Sequence, residues 1–148
     1  MEHLSEELID IWLRMSGVLR NNRLISSMTF NEIFVCNILY QQKKASTSLL
    51  TATEICQKMK LLKSQMNKVL NSLEKNEIIR RVRSEKDKRK VYLELIDDNL
   101  HFYLDEHERV LSMLSQLIEC LGVDKVKQVI SLMTEVTDTM ETILDQNG

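Results

Sequence analysis

A chain of 148 residues with no proline, three glycines and a net charge of −2 fits one domain, or one domain with helical extensions, built from long helices with few tight loops. No stretch approaches the roughly 18 to 20 consecutive apolar residues of a membrane span, and "MEHLSEELID" lacks the basic-then-apolar layout of a signal peptide, so the expected compartment is the cytoplasm. Cys36, Cys56 and Cys120 are odd in number and far apart, with no CxxC and no histidine cluster beside them, which argues against a disulfide framework or a structural metal.

The first expected helix runs from Ser5, as N-cap, to Asn22. Its apolar stripe is Leu4, Leu8, Ile11, Trp12, Met15, Val18 and Leu19. A second starts at Thr29, where "TFNE" has capping-box spacing. There Phe30, Ile33, Phe34, Val35, Cys36, Ile38, Leu39 and Tyr40 leave almost no polar face, so this helix is expected at the centre of the core. "ASTSLL" reads as a loop with at most a very short strand. "TATE" repeats the capping box at Thr51 and opens a third helix ending near Met59. Another helical pattern, Ser64 to Lys75, follows after about four residues, and two short helices so joined read as a helix-turn-helix.

At 100° per residue, Met66, Val69, Leu70 and Leu73 share one narrow arc of that helix. Ser64, Lys68, Asn71 and Lys75 lie opposite, flanked by Gln65 and Asn67. Hydroxyl, amide and ammonium groups donate to phosphate oxygens and base edges; taken alone, such a face is equally that of a solvated helix.

Charge collects here. From Lys58 to Lys90 stand twelve basic residues and four acids, a net +8, so the rest of the chain carries −10. A basic middle between acidic ends points to a local polyanion site. Within it, Val91, Leu93 and Leu95 alternate with Tyr92 and Glu94 as a half-buried strand. "IIRRVRS" is its partner, and Ser84 to Arg89 close the hairpin. Asp97 and Asp98 are expected to cap a long helix in which Leu100, His107, Leu114 and Leu121 recur by sevens. Gly122 breaks it, and Asp124 is the expected cap of a last helix with Val126, Met133 and Met140 at the same interval. Such seams carry more apolar surface than a small domain covers, which implies pairing with a second copy through Leu8, Trp12, Leu111, Leu114, Ile118, Val129, Met133, Val136, Met140 and Ile143.

The order of helices, helix-turn-helix, basic hairpin and two long helices resembles the MarR family of winged-helix transcription regulators. The likeness is strongest over "EICQKMKLLKSQMNKVLNSLEKNEIIRRVRSEKDKRKVYLEL", Glu54 to Leu95, where Asp87 and Arg89 match the acid and arginine of the family's wing. The resemblance implies a mainly α fold with a small β hairpin. Residues 29–96 would form the winged helix-turn-helix part, and residues 1–28 and 97–148 an intertwined helical dimerisation part. It implies a homodimer on double-stranded DNA bearing an inverted-repeat operator, with Ser64, Gln65, Asn67, Lys68, Asn71 and Lys75 in the major groove. The wing, Arg81, Arg83, Lys86, Asp87, Lys88, Arg89 and Lys90, would reach the minor groove, with Arg89 inserted and held by Asp87.

The family's usual glycines are replaced by Lys60 and Glu77, with Asn76 expected to take the left-handed turn before Glu77; Leu62 stands at the cap of the recognition helix. Relatives bind small lipophilic or aromatic effectors between their two parts, which here makes Trp12, Met15, Phe34 and Tyr40 a candidate effector pocket, although they read equally well as core. Cys36 and Cys56 read as buried, inert thiols, and Cys120 as the one to test for oxidation. His107 reads as a histidine with a satisfied hydrogen bond. No phosphate loop, nucleophile elbow or HExxH occurs, so neither catalysis nor a cofactor is expected. The expected activity is transcriptional regulation, most simply repression; the competing reading is a winged-helix module that binds a protein partner without DNA.

Overall fold

The computed structural model describes residues 1–20 and 27–146. It divides into two compact units, Met1–Val110 and Leu111–Gly148. The first holds α1 (Glu2–Leu19), α2 (Phe30–Lys44), α3 (Ala52–Met59), α4 (Lys63–Lys75), β1 (Ile79–Arg83), β2 (Val91–Leu95), a 3-10 turn at Asp97–Asn99 and the start of α5 (Leu100–Leu121). The second holds the rest of α5 and α6 (Val123–Gln146).

α1 begins earlier than expected. Its N-cap is Met1, and Ser5 lies inside the helix with its hydroxyl donating to the Met1 carbonyl; the acidic residues around Ser5 are good enough helix formers to extend the first turn past it. The expected end at Asn22 lies outside the described residues. Both capping boxes form. The Thr29 hydroxyl accepts from the Glu32 amide at 3.3 Å while the Glu32 carboxylate accepts from the Thr29 amide at 2.7 Å, and Thr51 and Glu54 repeat the exchange at 3.2 and 2.7 Å.

The core gathers Val35, Cys36 and Leu39 of α2, Ile55 and Met59 of α3, and Met66, Val69, Leu70 and Leu73 of α4 beneath Ile79, Leu93 and Leu95 of the hairpin. α2 is central to it, but one edge is open: Phe30 and Phe34 are exposed and stack edge to face at 6.5 Å. Burial, aided by the Glu32 charge, pushes the Cys36 thiol up to about 12, which keeps it a neutral core side chain. Tyr103, fully buried, donates to Asn37 Oδ1 at 2.9 Å and meets His107 Nδ1 at 3.2 Å, so the histidine has the partner expected of it.

Two αL residues shape the helix-turn-helix. α3 ends with Lys60 at φ 51°, Lys60 N–H donating to Gln57 and Leu61 N–H to Cys56. α4 ends the same way: Glu77, at φ 56°, donates to Glu74, and Ile78 donates to Leu73 at 2.9 Å. Both are Schellman motifs with a charged residue where glycine is usual. Asn76, expected to take the left-handed turn, is at φ −85°. It cannot serve because the motif demands αL one residue past the cap. Relieving that strain with Glu77→Gly is expected to stabilise the chain by about 0.5–1 kcal/mol, whereas Asn76→Gly is not; urea unfolding of both variants checks it.

β1 and β2 pair antiparallel with Ile79 opposite Leu95, Arg81 opposite Leu93 and Arg83 opposite Val91. The "ASTSLL" loop adds no strand; its last residue, Leu50, accepts from Leu93 N–H, and Thr51 just after it bridges to Tyr92. Asp97 and Asp98 do not cap α5. They sit in the 3-10 turn, where Ile96 holds the cap position and the Asp97 carboxylate pairs with Lys43 of α2 instead. Asp124 likewise lies inside the first turn of α6, with Gly122, at φ +84°, forming the break and accepting from Val126 N–H.

Candidate nucleic-acid interface

α4 separates its two faces as its sequence requires. Met66, Val69, Leu70 and Leu73 are buried, while Ser64, Gln65, Asn67, Lys68, Asn71 and Lys75 are exposed. Its start is uncapped by any side chain: Leu62 carries no acceptor, and the only reciprocal bond runs from Leu62 N–H to Gln65 Oε1 at 3.2 Å. The first-turn amides therefore keep their positive end of the helix dipole open to an anion.

The wing loop, residues 84–90, is braced by its own polar groups. Ser84 Oγ accepts from Asp87 N–H at 3.1 Å, Asp87 Oδ1 accepts from Arg89 N–H at 3.1 Å, and the Asp87 carbonyl accepts from Lys90 N–H at 2.9 Å. Asp87 was expected to orient the Arg89 guanidinium; it bonds to the Arg89 main chain, so what it fixes is the turn that carries the arginine. Lys86, Asp87, Lys88, Arg89 and Lys90 are all exposed. Arg89, Lys90 and Val91 wall a groove of about 440 Å³ whose other side is Thr51–Glu54. There the Thr51 backbone amide, then its hydroxyl, hold the Glu54 carboxyl below the usual range, with Lys90 and Lys58 adding less.

Not every basic residue of the segment faces outward alone. Arg80 pairs with its cross-strand neighbour Glu94 at 2.7 Å. Arg81 lies on the strand face that includes Ile79, opposite Leu93, so its guanidinium turns towards α4. Nη2 donates to Asn71 Oδ1 at 2.8 Å and Nη1 meets Glu74 at 3.3 Å. Two residues read from sequence as separate contacts, one on the helix and one on the wing, thus hold each other. The two-residue alternation from Ile79 to Arg81 to Arg83 was the signal for this, obscured by the charge.

The remaining expected site residues belong to other elements. Leu8, Trp12, Leu111, Leu114, Ile118, Val129, Met133, Val136 and Ile143 are exposed and Met140 is half-buried. Trp12, Met15 and Phe34 are exposed as well, whereas Tyr40 packs on Tyr103 at 5.5 Å. Among the described residues no group of histidine, cysteine and acidic side chains could hold a metal, and no helix is long and apolar enough to cross a membrane.

Comparison with known proteins gives this surface its context. The chain shares its fold with the transcriptional regulator PcaV from Streptomyces coelicolor, solved with its natural ligand (21% identity, TM-score 0.70, 88% of this chain and 89% of that one). It shares it also with Streptococcus pneumoniae FabT in complex with DNA (18%, 0.71, 96% and 98%) and with S. aureus MepR in its DNA-binding conformation (16%, 0.71, 93% and 98%). No curated protein matches the chain. The MarR-type winged helix-turn-helix read from Glu54 to Leu95 is sustained by the fold of these structures. The family model for the transcriptional regulator SarA/Rot matches residues 25–103, more than half of the sequence. The chain belongs to the SarA/Rot family of transcriptional regulators.

Proposed function

We propose that the chain acts as a cytoplasmic homodimer that binds an inverted-repeat operator in double-stranded DNA and represses transcription until a small lipophilic or aromatic effector releases it. Residues 29–96 read the DNA; residues 1–28 and 97–148 pair the two copies. The observation that carries this reading is the exposed donor face of α4 lying in one compact unit with a wing whose tip is basic. Ser64, Gln65, Asn67 and Lys68 meet base edges and phosphates in the major groove. Arg83, Lys86, Lys88, Arg89 and Lys90 follow the backbone into the minor groove, where a narrow A·T-rich tract draws the Arg89 guanidinium. Support comes from FabT and MepR, solved respectively with DNA and in a DNA-binding conformation, and for the effector from PcaV, solved with its ligand.

A purely protein-binding winged domain is not favoured. That function needs an apolar patch on the outward side of α4, and every exposed side chain from Lys63 to Lys75 is polar or charged.

The test is Arg89→Ala. It is expected to weaken operator binding by about 1–3 kcal/mol, roughly 5- to 150-fold in a mobility-shift titration, with thermal stability unchanged because the side chain is fully outside the core. Equal affinity of variant and parent removes the wing from the interface.

A further inference from the structure

We propose that Arg81 is a positioning residue that fixes the Asn71 amide so that the chain meets DNA at this point with hydrogen-bond donors only. The inference rests on the DNA-binding reading above and specifies its chemistry at one position. Arg81 projects from β1 towards α4, with Nη2 2.8 Å from Asn71 Oδ1 and Nη1 3.3 Å from a Glu74 oxygen. A guanidinium offers only N–H groups. The amide atom facing it must therefore be the oxygen, and the usual ambiguity between the two ends of an asparagine is resolved by chemistry.

Asn71 is exposed, and its nitrogen, with two donors, has no partner among the described residues. What it can engage is an acceptor. In the major groove guanine offers two adjacent acceptors, N7 and O6, thymine offers O4, and adenine offers N7 alone beside its N6 donor; a phosphate offers the same acceptor chemistry. Adenine is the base asparagine ordinarily reads, but that contact needs the amide oxygen to accept from N6 while the nitrogen donates to N7. Here the oxygen is turned towards β1 and already accepts from a cation. Cytosine presents a donor to a donor. The same guanidinium neutralises Glu74, the one acid of α4, which would otherwise face the phosphates.

The experiment is selection of bound sequences from a randomised duplex library at low salt, followed by titration, with the parent chain, Asn71→Ala, and Arg81→Met combined with Glu74→Gln. Arg81→Lys, which keeps the charge but cannot bridge both partners, serves if the double variant melts early. If a base is the acceptor, Asn71→Ala relaxes one half-site position from guanine or thymine and weakens the best duplex about 5- to 150-fold. The freed amide of the Arg81 variant then admits adenine there. If a phosphate is the acceptor, Asn71→Ala weakens all duplexes alike, and its effect shrinks in the Arg81 background. Either pattern supports the inference, and neither follows from Arg81 acting as a mere brace. An Asn71-dependent position that selects adenine or cytosine overturns it, as does an Asn71→Ala chain indistinguishable from the parent, while the parent's own motif leaves DNA binding standing. A parent that enriches no duplex removes the DNA-binding reading itself.

Discussion

Raising salt from about 50 to about 200 mM is expected to weaken operator binding by about 10³- to 10⁵-fold, the range for a protein that neutralises about six to ten phosphates. Lys63, Lys68 and Lys75 of α4 and Arg83, Lys86, Lys88, Arg89 and Lys90 of the wing are exposed, so two copies have more cations than that range requires. Arg80 and Arg81 do not contribute in the same way. Each has a carboxylate partner, Glu94 and Glu74, and such pairs release no counterion from DNA. The effect should be steep because little else attracts the duplex: outside Lys58–Lys90 the sequence carries −10, which repels the rest of the backbone at low salt. Titrations at four salt concentrations, plotted as log affinity against log salt, give the slope directly. A slope near zero would mean that the basic segment does not touch phosphate.

Why the sequence foretold some of this and not the rest is visible in particular residues. Thr29, Thr51 and the four buried residues of α4 announce themselves through fixed local spacing, and local hydrogen bonds or helical period decide them without help from distant parts of the chain. Both capping boxes and the inward arc of α4 were legible for that reason. Asp97 and Asp124 looked like caps by the same rule and are not, because a 3-10 turn and the αL glycine at position 122 supply the helix starts in their place. The left-handed residue after α4 was misplaced by one position. Side-chain tolerance favoured Asn76, but the Schellman geometry selected Glu77, and backbone hydrogen bonding outweighs about 1 kcal/mol of strain. Arg81 was the least legible. Arg80 and Arg83 beside it are basic and exposed, and the strand register, which pairs Arg81 with the fully buried Leu93, is what sets it on the face towards α4. Register is set by pairing with a strand ten or more residues away, so the two-residue alternation from Ile79 to Arg81 is decided only by Leu93 lying opposite.

Met133→Glu combined with Val136→Glu is expected to convert the chain to a monomer and to reduce operator binding by at least about 100-fold. α1 and α6 have no buried residue, and exposed leucine, isoleucine, valine and methionine side chains run along both, as they do along α5 beyond Val110. An apolar face of that extent on α6 is suited to association with a second apolar surface. Taking 100° per residue, Val126, Val129, Ile130, Met133, Val136 and Met140 of α6 fall on one side, and each aliphatic side chain fully covered there contributes about 1.5–3 kcal/mol. Two carboxylates at its centre must be dehydrated without a partner when a second copy docks, which more than offsets what the neighbours gain. Lys127→Glu, on the opposite side of the helix, changes charge in the same direction and is expected to leave the dimer intact. DNA binding falls with the dimer because a lone chain reaches one half-site and about half of the phosphates, so its salt slope should also halve. Sedimentation equilibrium and shift titrations on the same samples separate the two effects. A double variant that remains dimeric would move the interface off α6, and one that becomes monomeric yet binds the full operator as tightly as the parent would show that the two half-sites are read independently.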